Sequence, residues 1–250
     1  MNQVSKRLVG KRVLITGGGR GLGRALVRAC AKHGAKVAFS YVRNDAAAEE
    51  TRVELEALGA TTLAFRARVS DGAETDSMVR QLEESWGGID VLVNNAAVSQ
   101  NLPIALMEQE DFEHVLRVNV TGVYVTSRAV LRGMIRRKSG VIVNIGSLAG
   151  MRLIEAPVHY AASKAAVVGL TQSMAKEVAR HRIRVVCLAP GLLEDGLGKN
   201  LPEHRLVDYL RHCALGRVGT FEEVAEACVF LASDDASYVS GTTLVMDGGV

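Results

Sequence analysis

Proline occurs only four times in 250 residues, and neither a proline-rich linker nor a repeat divides the chain. Aromatic residues make up 4% of the sequence while Ala, Val, Leu and Gly abound. Small side chains of this kind suit helices packed closely on a layered sheet. The four cysteines, Cys30, Cys187, Cys213 and Cys228, form no C-x-x-C and sit in apolar runs. That spacing argues against a thiolate metal site and reads as buried free thiols in a reducing compartment. The six histidines include no H-E-x-x-H and no pair four residues apart, so no metal site is expected. A formal charge of +3, with basic residues mostly dispersed and no RNP-type aromatic motif, argues against nucleic acid as a partner. The opening MNQVSKRLVGKRVLIT has no apolar h-region. No run approaches the ~18 apolar residues of a membrane helix. The expectation is a soluble, cytoplasmic protein.

What is present is a full core and a regular alternation. With 48% hydrophobic content the 250 residues are read as one domain, 1–250. Short β-branched runs recur between helical patterns: RVLIT, KVAFSY, TTLAFRA, IDVLVNN, GVIVNIGS, IRVVCLAP and TTLVMDGG. Seven such runs, apolar almost throughout, are the pattern of parallel strands covered on both faces by six or so helices. The expected architecture is α/β, a Rossmann-type doubly wound seven-stranded parallel sheet. The segment LLEDGLGKNLPEHR has weak pattern, and residues 192–213 are read as a mobile loop and helix over a ligand.

The first strand runs into TGGGRGLGRALVRACAKHG, a glycine turn opening an amphipathic helix. Gly17, Gly21 and Gly23 let backbone approach a pyrophosphate, whose charge meets amides and the positive end of the helix dipole. An NAD site commonly has an acid after the second strand, but here that strand ends Ser40, Tyr41, Val42, Arg43. Arg20 and Arg43 are placed to converge on a 2′-phosphate, which favours NADP(H) over NAD(H). Further on, HYAASKAA sets Tyr160 and Lys164 four residues apart, hence neighbours on a helix, with nothing larger than serine between. An ammonium beside a phenol of ordinary pKa about 10 favours the phenolate and suits proton transfer.

In order and spacing these motifs, with NNAA at 94–97, Asn119 in RVNVTG, Ser147 in IGSLAG and the Pro190–Gly191 pair, resemble the short-chain dehydrogenase/reductase family over the whole chain. Within it, SRAVLRGMIRRKSG, APGLLED and VMDGG are most similar to the 3-oxoacyl-[acyl-carrier-protein] reductases. The resemblance implies that Tyr160 protonates a carbonyl oxygen, and that Lys164 lowers the phenol's pKa and holds the nicotinamide ribose. It implies that Ser147 polarises the same carbonyl and that Asn119 holds a water linking Lys164 to solvent. It makes Tyr160 and Lys164 cofactor contacts and adds Gly19, Leu22, Tyr41, Val69, Asn95, Ala96 and Leu193 to the glycines, with Pro190 and Gly191. Ala161, Ala162 and Ser163 are read as small because cofactor lies against that helix face. Three positions depart from the family's pattern: Ala97 for a glycine, Arg68 for an aspartate, and Asp195 for a threonine that contacts the carboxamide. Arg68 is read as stacking on the adenine.

The activity expected is NADPH-dependent reduction of a 3-oxoacyl thioester on a carrier protein, in fatty-acid or polyketide-type synthesis. The alternatives are a dehydrogenase or carbonyl reductase for a small free alcohol, sugar or steroid, and a cofactor-binding regulator without turnover. A homotetramer is expected from the family and from the small and apolar residues on several faces of AAVVGLTQSMAKEVA. Arg136, Arg137 and Lys138, with Arg180 and Arg182, end two helices that precede adjacent strands, and so should meet at one edge as a candidate docking site for acyl carrier protein.

Overall fold

The computed structural model describes residues 6–152, 154–195 and 203–250. The seven apolar runs become β1 Arg12–Ile15, β2 Lys36–Tyr41, β3 Thr62–Arg66, β4 Val91–Asn94, β5 Gly140–Ile145, β6 Ile183–Pro190 and β7 Thr243–Met246. Every adjacent pair is parallel, and the order across the sheet is β3-β2-β1-β4-β5-β6-β7. From β1 the chain winds outward through β2 and β3, then returns to the other side of β1 as β4. Loops leaving β1 and β4 diverge there, and the crevice outside their carboxyl ends is where such sheets take ligands.

The helices are α1 Gly21–Lys32, α2 Asp45–Ala57, α3 Gly72–Trp86, α4 Gln109–Leu116, α5 Gly122–Arg137, α6 Val158–Val178, α7 Glu203–His212 and α8 Phe221–Ala232. On one face of the sheet Val13, Ile15 and Phe39 pack with Leu26, Leu55 and Val229 of α1, α2 and α8. On the other, Leu14, Leu92 and Ile142 pack with Leu82, Met134 and Val178 of α3, α5 and α6. Alternate residues of β1 thus enter opposite cores, which is why its sequence shows no polar face.

Eight α-helices among the described residues exceed the six or so read from pattern. One reason is a π-helical turn, Arg117–Thr121, which separates α4 from α5 and carries Asn119. Such turns insert a residue into a helix and tend to sit at functional sites. Another is α7, within the stretch read as loop and helix; residues 196–202 of that stretch lie outside the described residues.

Candidate active site

Asn95 and Thr16 clamp the glycine turn. Thr16 Oγ1 accepts from the Asn95 and Ala96 amides at 3.0 Å each, and Asn95 Nδ2 donates to the Thr16 and Gly17 carbonyls at 2.9 and 3.2 Å. Gly17 and Gly21 have φ of 69° and 53°, in the left-handed region. A Cβ on Gly23 would fall 2.0 Å from the Gly17 oxygen, so helix and turn approach too closely for any side chain. Gly18, which motif reading passed over, is equally constrained: a Cβ there would lie 2.4 Å from Phe39 Cβ. Arg20 occupies the N-cap of α1 without a capping side-chain bond, and the first turn contains no acid. The first amides of the helix are therefore uncapped and have no carboxylate in their own turn to compete, which fits a dinucleotide diphosphate.

At the carboxyl end of β2, Arg20 and Arg43 are exposed, and neither side chain bonds to any described residue. The reading that no carboxylate is available here needs correction. Burial and a hydrogen bond with Asp45 push the Tyr41 phenol up, and Asp45 also lies 3.8 Å from Arg66. An acid four residues past the strand end is brought back by the first turn of α2. Arg68 is anchored by acids: its Nε donates to Glu74 at 2.9 Å and its Nη2 reaches Asp71 at 3.2 Å, so the guanidinium is fixed in position at the start of α3 while its side chain stays 60% exposed. Val69 is buried against Gly122, where a Cβ would stand 2.6 Å from Val69 Cγ2.

Ser147, Tyr160, Lys164 and Asn119 do come together. Ser147 follows β5 and caps a 3-10 turn, Leu148–Gly150, its Oγ accepting from the Ala149 amide at 3.2 Å. Tyr160 and Lys164 lie one turn apart on α6, with Nζ 5.7 Å from the phenol ring centroid. Lys164, 4% exposed, donates to the Ile145 carbonyl at 2.7 Å. Burial pushes its pKa down to about 8, against a small opposing effect of Cys187. Burial pushes the Tyr160 phenol up, and a hydrogen bond with Ser147 works the other way. Here the expected lowering of the phenol by Lys164 is not seen: the tyrosine is a protonated acid at neutral pH. The cause is geometric, since the ammonium is turned toward β5.

Asn119 uses its amide on protein groups. Oδ1 accepts from the Val98 amide at 2.8 Å, and Nδ2 donates to the Val98 carbonyl at 2.9 Å and to Ser163 Oγ at 3.0 Å. Ser163 in turn donates to the Tyr160 carbonyl at 2.7 Å. Ser163 is therefore small and polar also because it joins the π-helical turn to α6, a role that the reading of a cofactor-facing helix did not include. Next to Tyr160, His159 is fully buried, and neither ring nitrogen has a partner. Burial holds this imidazole below its ordinary pKa, partly offset by Asp111.

Pro190 ends β6, and Gly191 accommodates Tyr209 of α7, whose hydroxyl would lie 2.3 Å from a Cβ there. That hydroxyl accepts from the Leu192 amide at 3.0 Å and donates to the Asp247 carbonyl at 3.2 Å, while Leu193 bridges to Gly219. Glu155, between Ser147 and Tyr160, pairs with Arg205 of α7. Among the described residues no cluster of three His, Cys, Asp or Glu could hold a metal.

The two basic clusters share an edge, since Gly140 at the start of β5 pairs with Ile183 at the start of β6. It is the amino edge, roughly 20 Å from Ser147 along the six residues of β5. Arg136 pairs with Glu83 at 3.1 Å, and Arg137 is bound to the Ile89 carbonyl. Lys138 and Arg182 are left-handed helix caps, and Arg180 Nε donates to His181 at 3.2 Å.

A family model described as Enoyl-(Acyl carrier protein) reductase matches residues 17–250. The chain is 35% identical to a 3-oxoacyl-[acyl-carrier-protein] reductase FabG of Chlamydia muridarum, over 97% of this chain and 98% of that one. It is 37% identical to a FabG of Thermotoga maritima, over 98% and 99%. Among solved structures, a gluconate 5-dehydrogenase from Burkholderia cenocepacia in complex with NADP and tartrate superposes with a TM-score of 0.92 at 35% identity, covering 97% of this chain and 96% of that one. The chain belongs to the short-chain dehydrogenase/reductase family and is a nicotinamide-dependent oxidoreductase acting on CH–OH and C=O groups.

Proposed function

From that membership we propose that the protein reduces the ketone of a 3-oxoacyl thioester carried on an acyl carrier protein, using NADPH, in fatty-acid or polyketide-type synthesis. The observation that carries the reaction is the Ser147–Tyr160–Lys164 group, a buried lysine beside a half-buried serine and tyrosine, with the phenol held above its ordinary value and so protonated at neutral pH. Bound NADPH supplies hydride to the carbonyl carbon. Ser147 hydrogen-bonds the carbonyl oxygen, and Tyr160 gives that oxygen its proton as charge develops. Lys164 has two further N–H groups beyond the one on Ile145, enough to hold a ribose hydroxyl and to stabilise the phenolate once the proton has left. Asn119 fixes the α6 turn through Ser163, and the π-helical turn that carries it would hold the water that returns the proton.

The diphosphate would rest on the uncapped start of α1, within the turn of Gly17, Gly19, Gly21, Leu22 and Gly23. Tyr41, Val69, Asn95, Ala96, Pro190, Gly191 and Leu193 form the rest of the cofactor wall. Arg20 and Arg43, which bond to no described residue, are the recognition pair for a 2′-phosphate; Asp45 is the acid a ribose 2′-hydroxyl of NAD(H) would use instead. Exposed Met151 and Val158, in the segment from Ser147 to Tyr160, and Leu206 and Val207 on α7, which Arg205 ties to Glu155, suit an acyl chain. Similarity to the gluconate 5-dehydrogenase favours a second reading, a small polyhydroxy acid as substrate.

The molecule is proposed to work in the cytoplasm as a homotetramer. Tyr124 of α5 is 52% exposed, and Ala162, Ala165 and Gly169 form an exposed strip of small residues on α6 that a second copy would cover. Initial rates with NADPH and NADH against carrier-bound 3-oxoacyl groups, small thioesters and keto sugar acids test the reading. It predicts the highest kcat/KM for the carrier-bound ketone with NADPH. Preference for a keto acid would replace it with the second reading.

A further inference from the structure

A polar chain runs through the otherwise apolar layer behind the active site. Asn94 Nδ2 donates to Ser127 Oγ at 3.0 Å and to Asn144 Oδ1 at 2.8 Å, and Asn144 Nδ2 donates to Thr171 Oγ1 at 2.9 Å. Thr171 closes the chain on the Val167 carbonyl at 2.8 Å. Each of these four side chains is 4% exposed or less. Buried polar groups on four elements, β4, α5, β5 and α6, cost stability unless satisfied, so their geometry is sharply defined.

The connectivity gives that definition a use. Asn144 and Ile145 are successive residues of β5. The Asn144 side chain holds Thr171, and the Ile145 carbonyl holds Lys164 Nζ at 2.7 Å. Lys164 and Thr171 are seven residues apart on α6, two turns of one helix face. Helix α6 is thus pinned to β5 at two points along its axis. Ser147 is two residues beyond the pinned strand positions, and Tyr160 is one turn before the pinned lysine. The same chain reaches the cofactor turn, because Asn94 precedes Asn95, which clamps Thr16 and Gly17.

We propose that Asn144 and Thr171 are positioning residues that set the axial register of α6 on β5, and through it the placement of Tyr160 and Lys164 against Ser147 and the cofactor turn. Apolar packing alone allows a helix to slide on a sheet by fractions of an ångström, and such shifts are what a near-attack geometry does not tolerate. A hydrogen bond at each end of the contact removes that freedom.

Thr171→Val keeps the volume, removes the acceptor for Asn144 and leaves every group that faces ligand in place; Thr171→Ser restores the hydroxyl. Two readouts are taken. One is kcat and KM for whichever carbonyl the wild type reduces, beside NADPH affinity. The other, independent of any substrate and so of the proposed function, is the titration of Lys164 followed by NMR of the side-chain nitrogen. The valine variant should lose kcat by about tenfold or more, with cofactor affinity within about twofold of wild type. Lys164, still buried but without the Ile145 carbonyl to accept from its ammonium, should titrate below its wild-type value. The serine variant should recover both. A valine variant that only melts earlier, with wild-type kcat and an unmoved Lys164 titration, overturns the proposal and leaves the chain as packing. If the valine variant does not fold, Thr171→Cys, a weak acceptor of similar size, carries the same two measurements. A wild type inactive toward all carbonyls would defeat the proposed function while the Lys164 titration still decides this one.

Discussion

At the amino edge of the sheet Arg12, Arg137 and Arg184 are consumed by the fold, whereas at the carboxyl edge Arg20 and Arg43 have no partner among the described residues. Arg12 grips Asp90 through Nη2 and Nε at 2.6 and 2.7 Å, and Arg184 donates to the carbonyls of Leu231, Val239 and Ser233. Arg137 is satisfied by the Ile89 carbonyl. Thirty ångströms or less away, at the other ends of the same strands, Arg20 and Arg43 bond to no described residue, α1 begins without a cap, and Lys164 is buried at the expense of its own protonation. Both edges come from one topology. Helix C-termini and strand starts meet at the amino edge and are completed internally by cations; strand ends and helix N-termini meet at the carboxyl edge and leave amides for an anion.

The largest effect expected is at the carboxyl edge. Tyr160→Phe removes the proton donor and little volume, and should lower kcat at least about 100-fold with NADPH affinity nearly unchanged. A variant retaining more than a tenth of wild-type kcat would show that the acid lies elsewhere. Lys164 gives the matching pH dependence. Its folded pKa of about 8 lies below the ordinary 10.5, so the ammonium is present below that value and lost above it. Reductive kcat/KM should therefore fall as pH rises through about 8, the limb vanishing in Lys164→Ala. The same shift makes burial of Lys164 a cost to the cofactor-free protein below pH 8, relieved as pH rises toward 10.5.

The amino edge should respond in the opposite sense, in stability and not in rate. Burial raises the Asp90 carboxyl, but hydrogen bonds from the Arg12 side chain and amide outweigh it and hold the group below its usual value. A depressed carboxylate contributes stability above its unfolded pKa and loses it as pH falls through the folded one. Asp90→Asn should cost about 2 kcal/mol at pH 7, read from denaturant unfolding, with kcat within error of wild type. Loss of rate without loss of stability would break the contrast between the edges.

Much of this was legible in the sequence, and the part that was not has definite causes. All seven strands were visible because strands covered on both faces are apolar at every position. The glycine turn and the Tyr160–Lys164 pair were visible because local spacing encodes them. Asp45 was missed because its approach to Tyr41 depends on where α2 begins, and the pairing of Arg68 with Glu74 because that acid reaches back six residues across a loop. The π-helical turn leaves no periodic trace in five residues. The Asn94–Asn144–Thr171 chain spans positions whose only common feature is the sheet that brings them together.

A smaller effect tests cofactor choice. Arg20→Ala should shrink the ratio of kcat/KM for NADPH over NADH by about tenfold, since a guanidinium on phosphate makes charge-assisted bonds that a hydroxyl cannot replace. Asp45→Ala sharpens the point: if Asp45 serves only Tyr41 and Arg66, NADPH use is unaffected, whereas improved NADPH use would show that the carboxylate opposes the 2′-phosphate. Equal wild-type use of both cofactors would reduce Arg20 and Arg43 to surface charge.

The smallest effect concerns the two basic helix ends, which share the amino edge and not the edge of the reaction. A carrier protein held there must deliver its acyl group across roughly 20 Å, so these cations act on encounter and leave the chemistry alone. Arg136 is already countered by Glu83 at 3.1 Å, whereas among the described residues Arg180 bonds only to His181. Arg180→Glu should therefore raise KM for a carrier-bound 3-oxoacyl substrate more than Arg136→Glu. The double reversal should raise it about fivefold at low salt, fading once the screening length drops below about 8 Å. Turnover of a small thioester should be unchanged in all three. If both substrates suffer equally, or neither does, the clusters are cations that terminate α5 and α6 against their dipoles, and the amino edge belongs wholly to the fold.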